Sequence, residues 1–160
     1  DMLPKEHGFA FTIYQGSPSS RGEIRLRSGD PLDSPIIRAS YLSHPADMPV
    51  LARAVRIMRQ MMRMPVIARF IEREISPGDS VTDDDLEAEI RRNAGTAYHQ
   101  SGSCAMGRHE DAVVDPQLRV RGIDGLRVAD TSIVPRIPNA AMHAVALMIG
   151  EKAAAMISNR

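Results

Sequence analysis

Two histidines carry most of the chemical interest of this sequence. His99 follows Tyr98 in a Gly/Ser-rich loop, a setting that can present an imidazole to a cavity, and His143 stands near the start of the most apolar stretch of the chain. Histidine titrates near neutrality, so one imidazole can accept a substrate proton while a second donates a hydrogen bond. Taken singly, each also reads as a structural histidine, satisfied by two partners that a loop or a helix start can provide. Spacing alone does not choose between a shared site and two separate structural roles. His99, Cys104 and His109 lie five residues apart. They suggest a metal site, yet they include no tight pair such as C-x-x-C and no fourth ligand. Cys104 also reads as a nucleophile near His99, or as a small buried apolar residue, the commoner use of a lone cysteine. His7, His44 and His109 sit in polar loop sequence and read as surface residues. The run from Gly102 to Gly107, followed by Arg108, has the glycine spacing of a phosphate loop. It lacks the Lys and the Ser/Thr that would meet phosphate and magnesium.

These residues need elements to place them. Residues 1–20 read as a loop or edge segment. In residues 22–27, Ile24 and Leu26 alternate with charged residues, which predicts a half-buried strand, and a second short strand is expected over 36–42. The turn-dense run at 28–35 separates them. From Ala46 to Arg63, Met48, Leu51, Val55, Met58 and Met62 recur every three or four residues, with Asp47 and Arg53, Arg56, Arg59 and Arg63 largely opposite. This pattern predicts an amphipathic helix. Pro65 interrupts it, and a second helix is expected over 66–75. Thr82 followed by Asp85 resembles a capping box for a helix over 83–93, which Gly95 ends. Strand candidates centre on Leu118–Val120 and Leu126–Ala129, and a final helix is expected over 141–158. That helix is apolar almost all round and should be buried on more than one side, more cover than a chain of 160 residues readily supplies.

Composition narrows the class. The hydrophobic content of 43% is that of a globular chain, not a disordered one. Twenty basic residues balance twenty acidic ones, which argues against a nucleic-acid partner. No apolar run is long enough for a membrane span. One cysteine permits no internal disulfide. Ten Met with three Phe, three Tyr and no Trp imply a core of aliphatic and thioether packing. No secretory pattern stands at the start, and the expected location is cytoplasmic. The chain opens on Asp1, which suggests a processed or excised piece.

Three motifs in order, YHQSGSCAMG at 98–107, AVVDPQLRVRGIDGLRVADTSIVP at 112–135 and PNAAMHAVALMIGEKAAAMI at 138–157, resemble the C-terminal part of the glucose–methanol–choline (GMC) family of FAD-dependent oxidoreductases. Upstream, SRGEIRLRSGDPLDSPIIRASYL at 20–42 is similar to the family's entry into its substrate domain. The resemblance implies oxidation of a small-molecule alcohol, with hydride passing to the flavin and a base taking the hydroxyl proton. His99 matches the histidine that opens the family's H-x-x-G-[TS]-C motif, its usual candidate base, and His143 matches a second active-site position held by His or Asn. Asp130 and Thr131 match a segment near the ribityl and pyrophosphate part of FAD, and Met142, His143 and Ala144 match a stretch facing the flavin ring. Gln100 stands where the family often has Pro, Ser103 where it often has Thr, and Ala141 where Asn is frequent. Thr131 replaces a usually smaller residue.

The implied fold is α+β, an antiparallel sheet drawn from the first 42 residues and parts of 96–130, flanked by helices. Residues 1–111 would form the substrate-binding part with the His99 loop. Residues 112–160 would supply a C-terminal strand and helix that return to the FAD-binding domain. The dinucleotide fingerprint G-x-G-x-x-G does not occur in this sequence. The resemblance therefore implies an N-terminal FAD-binding domain as a further partner, and a chain that alone neither holds FAD tightly nor turns over alcohol. The competing expectation is a non-catalytic binding module of the same fold.

Overall fold

The computed structural model describes residues 7–158, so the expectation for residues 1–6 lies outside the described residues. Contacts divide the chain into two units.

The first unit comprises the segment before Gly16, Ser19–Arg21 and Ser40–Gly95. Its frame is α1 (Asp47–Met62), a short α2 (Pro65–Ala68) and α3 (Leu86–Asn93). Met48 and Ala52 of α1 and Leu86 of α3 are its buried apolar residues. One side chain departs from the expected pattern. Asp47, assigned by periodicity to the polar face of α1, is 1% exposed. Gln15 Nε2 donates to its Oδ1 at 3.0 Å, the Ser19 amide to Oδ1 at 2.8 Å, and the Ser20 amide to Oδ2 at 2.8 Å, with the Ser20 hydroxyl as a fourth donor. The Ser-rich loop turns its donors onto the carboxylate, and so a charge is tolerated inside. In the last turns of α1, Arg59 Nε donates to both Glu74 carboxylate oxygens at 3.1 and 3.2 Å. Its terminal nitrogens reach the Val81 and Gly78 carbonyls at 3.0 and 3.3 Å, which pins the 74–81 loop to the helix.

The helix expected over 66–75 stops at Ala68. Phe70 and Ile71 then close onto carbonyls three residues back, the tighter pattern of a helix running out. Phe70 remains 71% exposed, so no packing rewards continuation. The Thr82–Asp85 pair forms, the Thr82 hydroxyl donating to Asp85 Oδ2 at 2.8 Å and accepting from the Asp85 amide at 3.4 Å. It shapes the turn before the helix, which starts at Leu86 rather than at residue 83.

The second unit holds Gly16–Pro18, Gly22–Ala39 and the chain from Thr96 onward. Its sheet is a two-stranded antiparallel ribbon of β1 (Glu23–Arg25) and β2 (Ile36–Arg38), with Ile24 opposite Ile37. Both strands are shorter than expected. The region 96–130 contributes only isolated bridges, Met106 with Val114, Val114 with Val120 and Arg119 with Arg127. The two strand candidates do meet, through Val120 N–H to the Leu126 carbonyl at 3.0 Å and Val128 N–H to Leu118 at 3.1 Å. They do not extend because the chain turns too often. Gly122 and Gly125 adopt φ of 76° and 77°, and the Asp115 carboxylate captures the Gln117 and Arg119 amides in a turn at Pro116. A 3₁₀ turn (Thr131–Ile133) and α4 (Met142–Ser158) complete the unit. Val114, Leu118, Ile133, Ile149 and Ala153 form its core. As its composition suggested, α4 is incompletely covered: Leu147 is 59% exposed, with Met148 and Ile157 also at the surface.

Candidate active site

The second unit carries every residue to which the resemblance gives a catalytic or flavin-facing role. His99 is half-buried in the loop between Thr96 and Cys104. Tyr98 before it has φ of 58°, and Gly102 after it φ of 86°. Thr96 Oγ1 accepts from the Tyr98 amide at 2.9 Å and from Gln100 Nε2 at 2.8 Å. The far side of the loop is stitched to the 3₁₀ turn. The Thr131 hydroxyl donates to the Gln100 carbonyl at 3.3 Å, the Cys104 amide to Ser132 at 3.0 Å, and the Met106 amide to Ile133 at 2.8 Å. An added Cβ at Gly102 would make only ordinary contact with the Val134 carbonyl oxygen at 3.5 Å, so it is the left-handed backbone there that favours glycine.

Asp130 caps the 3₁₀ turn, its Oδ1 accepting from the Ser132 amide at 2.7 Å. Hydrogen bonds from the Ser132 side chain and amide hold the Asp130 carboxyl below its usual range, against a smaller opposing effect of burial. The carboxylate is exposed. The turn in its turn packs on α4 through Ile133, Ile149 and Ala153. At the head of α4, Met142 is buried, whereas His143 and Ala144 are exposed. Asn139, shortly before this helix, lies against Gly16, where a Cβ would meet Asn139 Oδ1 at 2.6 Å and its Cα at 3.0 Å.

The structure thus joins the His99 loop, the Asp130 turn and α4 in one packed unit. The metal reading of His99, Cys104 and His109 finds no such grouping: among the described residues no three His, Cys, Asp or Glu side chains are gathered to hold an ion. Cys104 is half-buried. A cavity of about 180 Å³ in the first unit, lined by Leu51, Val55, Leu86 and Ile90 among others, and one of about 100 Å³ beside α4 are not lined by His99 or His143. No helix among the described residues is long and apolar enough to cross a membrane. Sequence reasoning passed over Thr96, and it saw Gln100 only as a departure. Their hydrogen bonds around residue 99 depend on the left-handed turn at Tyr98, which no spacing rule announces.

The GMC oxidoreductase family model matches residues 18–150. The chain belongs to the GMC oxidoreductase family. Over 157 residues, 98% of its length, this GMC chain is 43% identical to an oxygen-dependent choline dehydrogenase of Escherichia coli O45:K1 (strain S88 / ExPEC). It spans 28% of the length of that relative. Its structure is similar to that of pyridoxine 4-oxidase from Mesorbium loti, with a TM-score of 0.83 and 33% identity over 91% of this chain and 28% of the other. It is also similar to an FAD-dependent oxidoreductase from Chaetomium thermophilum, with a TM-score of 0.81 and 30% identity over 89% of this chain and 25% of the other.

Proposed function

We propose that this chain is the proton-handling part of a flavin-dependent alcohol oxidoreductase, with His99 as the base. The observation that carries the reading is the hydrogen-bonded seam from Gln100, Cys104 and Met106 to the Thr131–Ile133 turn, continued by the packing of that turn on α4. The three motifs that resemble the family's site are thereby held in one unit, as a shared site requires. Nothing in the geometry favours the non-catalytic binding module.

The donor set of the second unit suits a flavin. Asp130 is a charged, exposed acceptor steadied by Ser132, the chemistry that a ribityl hydroxyl needs. Thr131 has donated its hydroxyl to Gln100, which leaves Asp130 as the stronger candidate of the pair. Met142, His143 and Ala144 would face the ring, with Met142 anchored in the core. When bound, FAD supplies the acceptor for the hydride that leaves the alcohol carbon. The residues of this chain do the rest. His99 takes the hydroxyl proton as that bond breaks, and His143 donates a hydrogen bond to the oxygen as its charge develops. The remainder of the FAD site belongs to an N-terminal domain of the kind that the longer relatives have room for.

The test is to express the full-length gene product, record its flavin spectrum and mix it anaerobically with a panel of small alcohols that includes choline. Bleaching by one of them supports the reading. A protein without flavin, or one bleached by no alcohol, refutes it.

A further inference from the structure

Resting on the reading of His99 as the base, we propose that Thr96 and Gln100 are positioning residues that hold its imidazole for proton transfer. Tyr98 occupies the left-handed region, uncommon for a bulky side chain. It is 75% exposed, so burial of its ring does not stabilise that conformation. The stabilising contacts come from the backbone's neighbours. Thr96 Oγ1 accepts the Tyr98 amide at 2.9 Å on one side of residue 99 and the Gln100 side-chain amide at 2.8 Å on the other. A hydroxyl oxygen has two acceptor lone pairs, so both donors are satisfied at once, and its own proton is left for a third partner. The Gln100 carbonyl then accepts the Thr131 hydroxyl at 3.3 Å, which fixes the bracket to the 3₁₀ turn. His99 lies between these two neighbours, whose positions the Thr96 hydroxyl fixes. Releasing Thr96 lets Tyr98 relax toward ordinary φ, which rotates the peptide leading into His99 and swings the ring. Misplacement of a catalytic group by about 1 Å can slow a reaction by on the order of 10²-fold.

The experiment uses full-length, flavin-loaded enzyme and whichever of choline, benzyl alcohol and pyridoxine bleaches the wild-type flavin fastest. Thr96→Val keeps the shape and removes the acceptor, whereas Thr96→Ser keeps the acceptor. Thr96→Val is expected to lower the limiting rate of flavin reduction about tenfold, with flavin content and KM near wild type. Thr96→Ser should stay within about twofold of wild type. On a His99→Ala background, Thr96→Val should cause no further loss, because it acts through the imidazole. Gln100→Leu, at an exposed position, should slow reduction in the same direction, and it carries the test if Thr96→Val does not fold. The proposal is overturned if Thr96→Val reduces flavin at the wild-type rate. It is also overturned if Ser and Val are equally slow, or if Val slows the His99→Ala enzyme as much as the wild type. Should His99→Ala itself react at the wild-type rate, the base assignment falls, and this proposal with it.

Discussion

The imidazole of His99 and that of His143 differ in setting, and the difference sets what each substitution should do. His99 is half-buried in a clamped loop, while His143 is exposed on the first turn of α4. A base that takes the proton contributes about 10² to 10⁴-fold, whereas a second donor that shares the developing charge contributes less. His143→Asn keeps a hydrogen-bond donor, so reduction of the flavin should slow by about tenfold or less. Complete loss of reduction with flavin content intact would show that His143 is the primary base. Asp47 poses a different question. Burial raises its carboxyl, but the Ser20 hydroxyl, the Ser19 and Ser20 amides and Gln15 together outweigh that and lower it to about 2, from an ordinary 3.8. A folded pKa below the unfolded one adds stability above the unfolded value, and that stability is lost as pH falls through the folded value. The shift is worth about 2 kcal/mol, present above about pH 4 and lost toward about pH 2. Asp47→Asn should therefore destabilise the protein at neutral pH by about that amount, with the gap to wild type closing across this window in denaturant titrations. A gap that is independent of pH would contradict the assignment.

At the level of elements, β1 and β2 owe their close pairing to a missing side chain. A Cβ on Gly22 would lie 2.3 Å from the Arg38 carbonyl oxygen and 2.8 Å from that of Ala39. Both are backbone atoms and cannot step aside alone. Gly22→Ala should open the ribbon, cost about 1–3 kcal/mol and speed amide exchange at Glu23–Arg25. Unchanged exchange there would mean that the backbone absorbs the methyl group elsewhere. The helix α1 was legible from its apolar periodicity, which buries Met48 and Ala52, α3 from the capping pair ahead of Leu86, and α4 from its long apolar run, which buries Ile149 and Ala153. The second helix was overread because Val66, Phe70 and Ile75 are apolar in sequence yet exposed in structure, so their pattern lacks a partner surface. The expected strands of 96–130 were cut short by left-handed turns at Leu118, Gly122 and Gly125, whose φ values depend on the final packing. Asp47 was misread for a related reason: helical spacing placed it on the polar face, and donors distant in sequence, from Gln15, Ser19 and Ser20, make its burial tolerable.

For the molecule as a whole, the family was legible through motif resemblance, and the candidate site was drawn from that resemblance and not from spacing. Two histidines separated by forty-three intervening residues carry no geometric message alone. The structure adds the physical links, a seam of hydrogen bonds from loop to turn and a shared core from turn to helix. It also leaves Leu147, Met148 and Ile157 of α4 at the surface of a chain that spans 28% of its choline dehydrogenase relative. In the proposed reaction the imidazole of His99 removes the proton when alcohol is oxidised. The most direct measurement is anaerobic stopped-flow reduction of the flavin in full-length wild-type and His99→Ala enzymes. The reduction rate should fall by about 10²-fold or more with FAD content near wild type, and an unchanged rate at full flavin loading would remove His99 from the role of base.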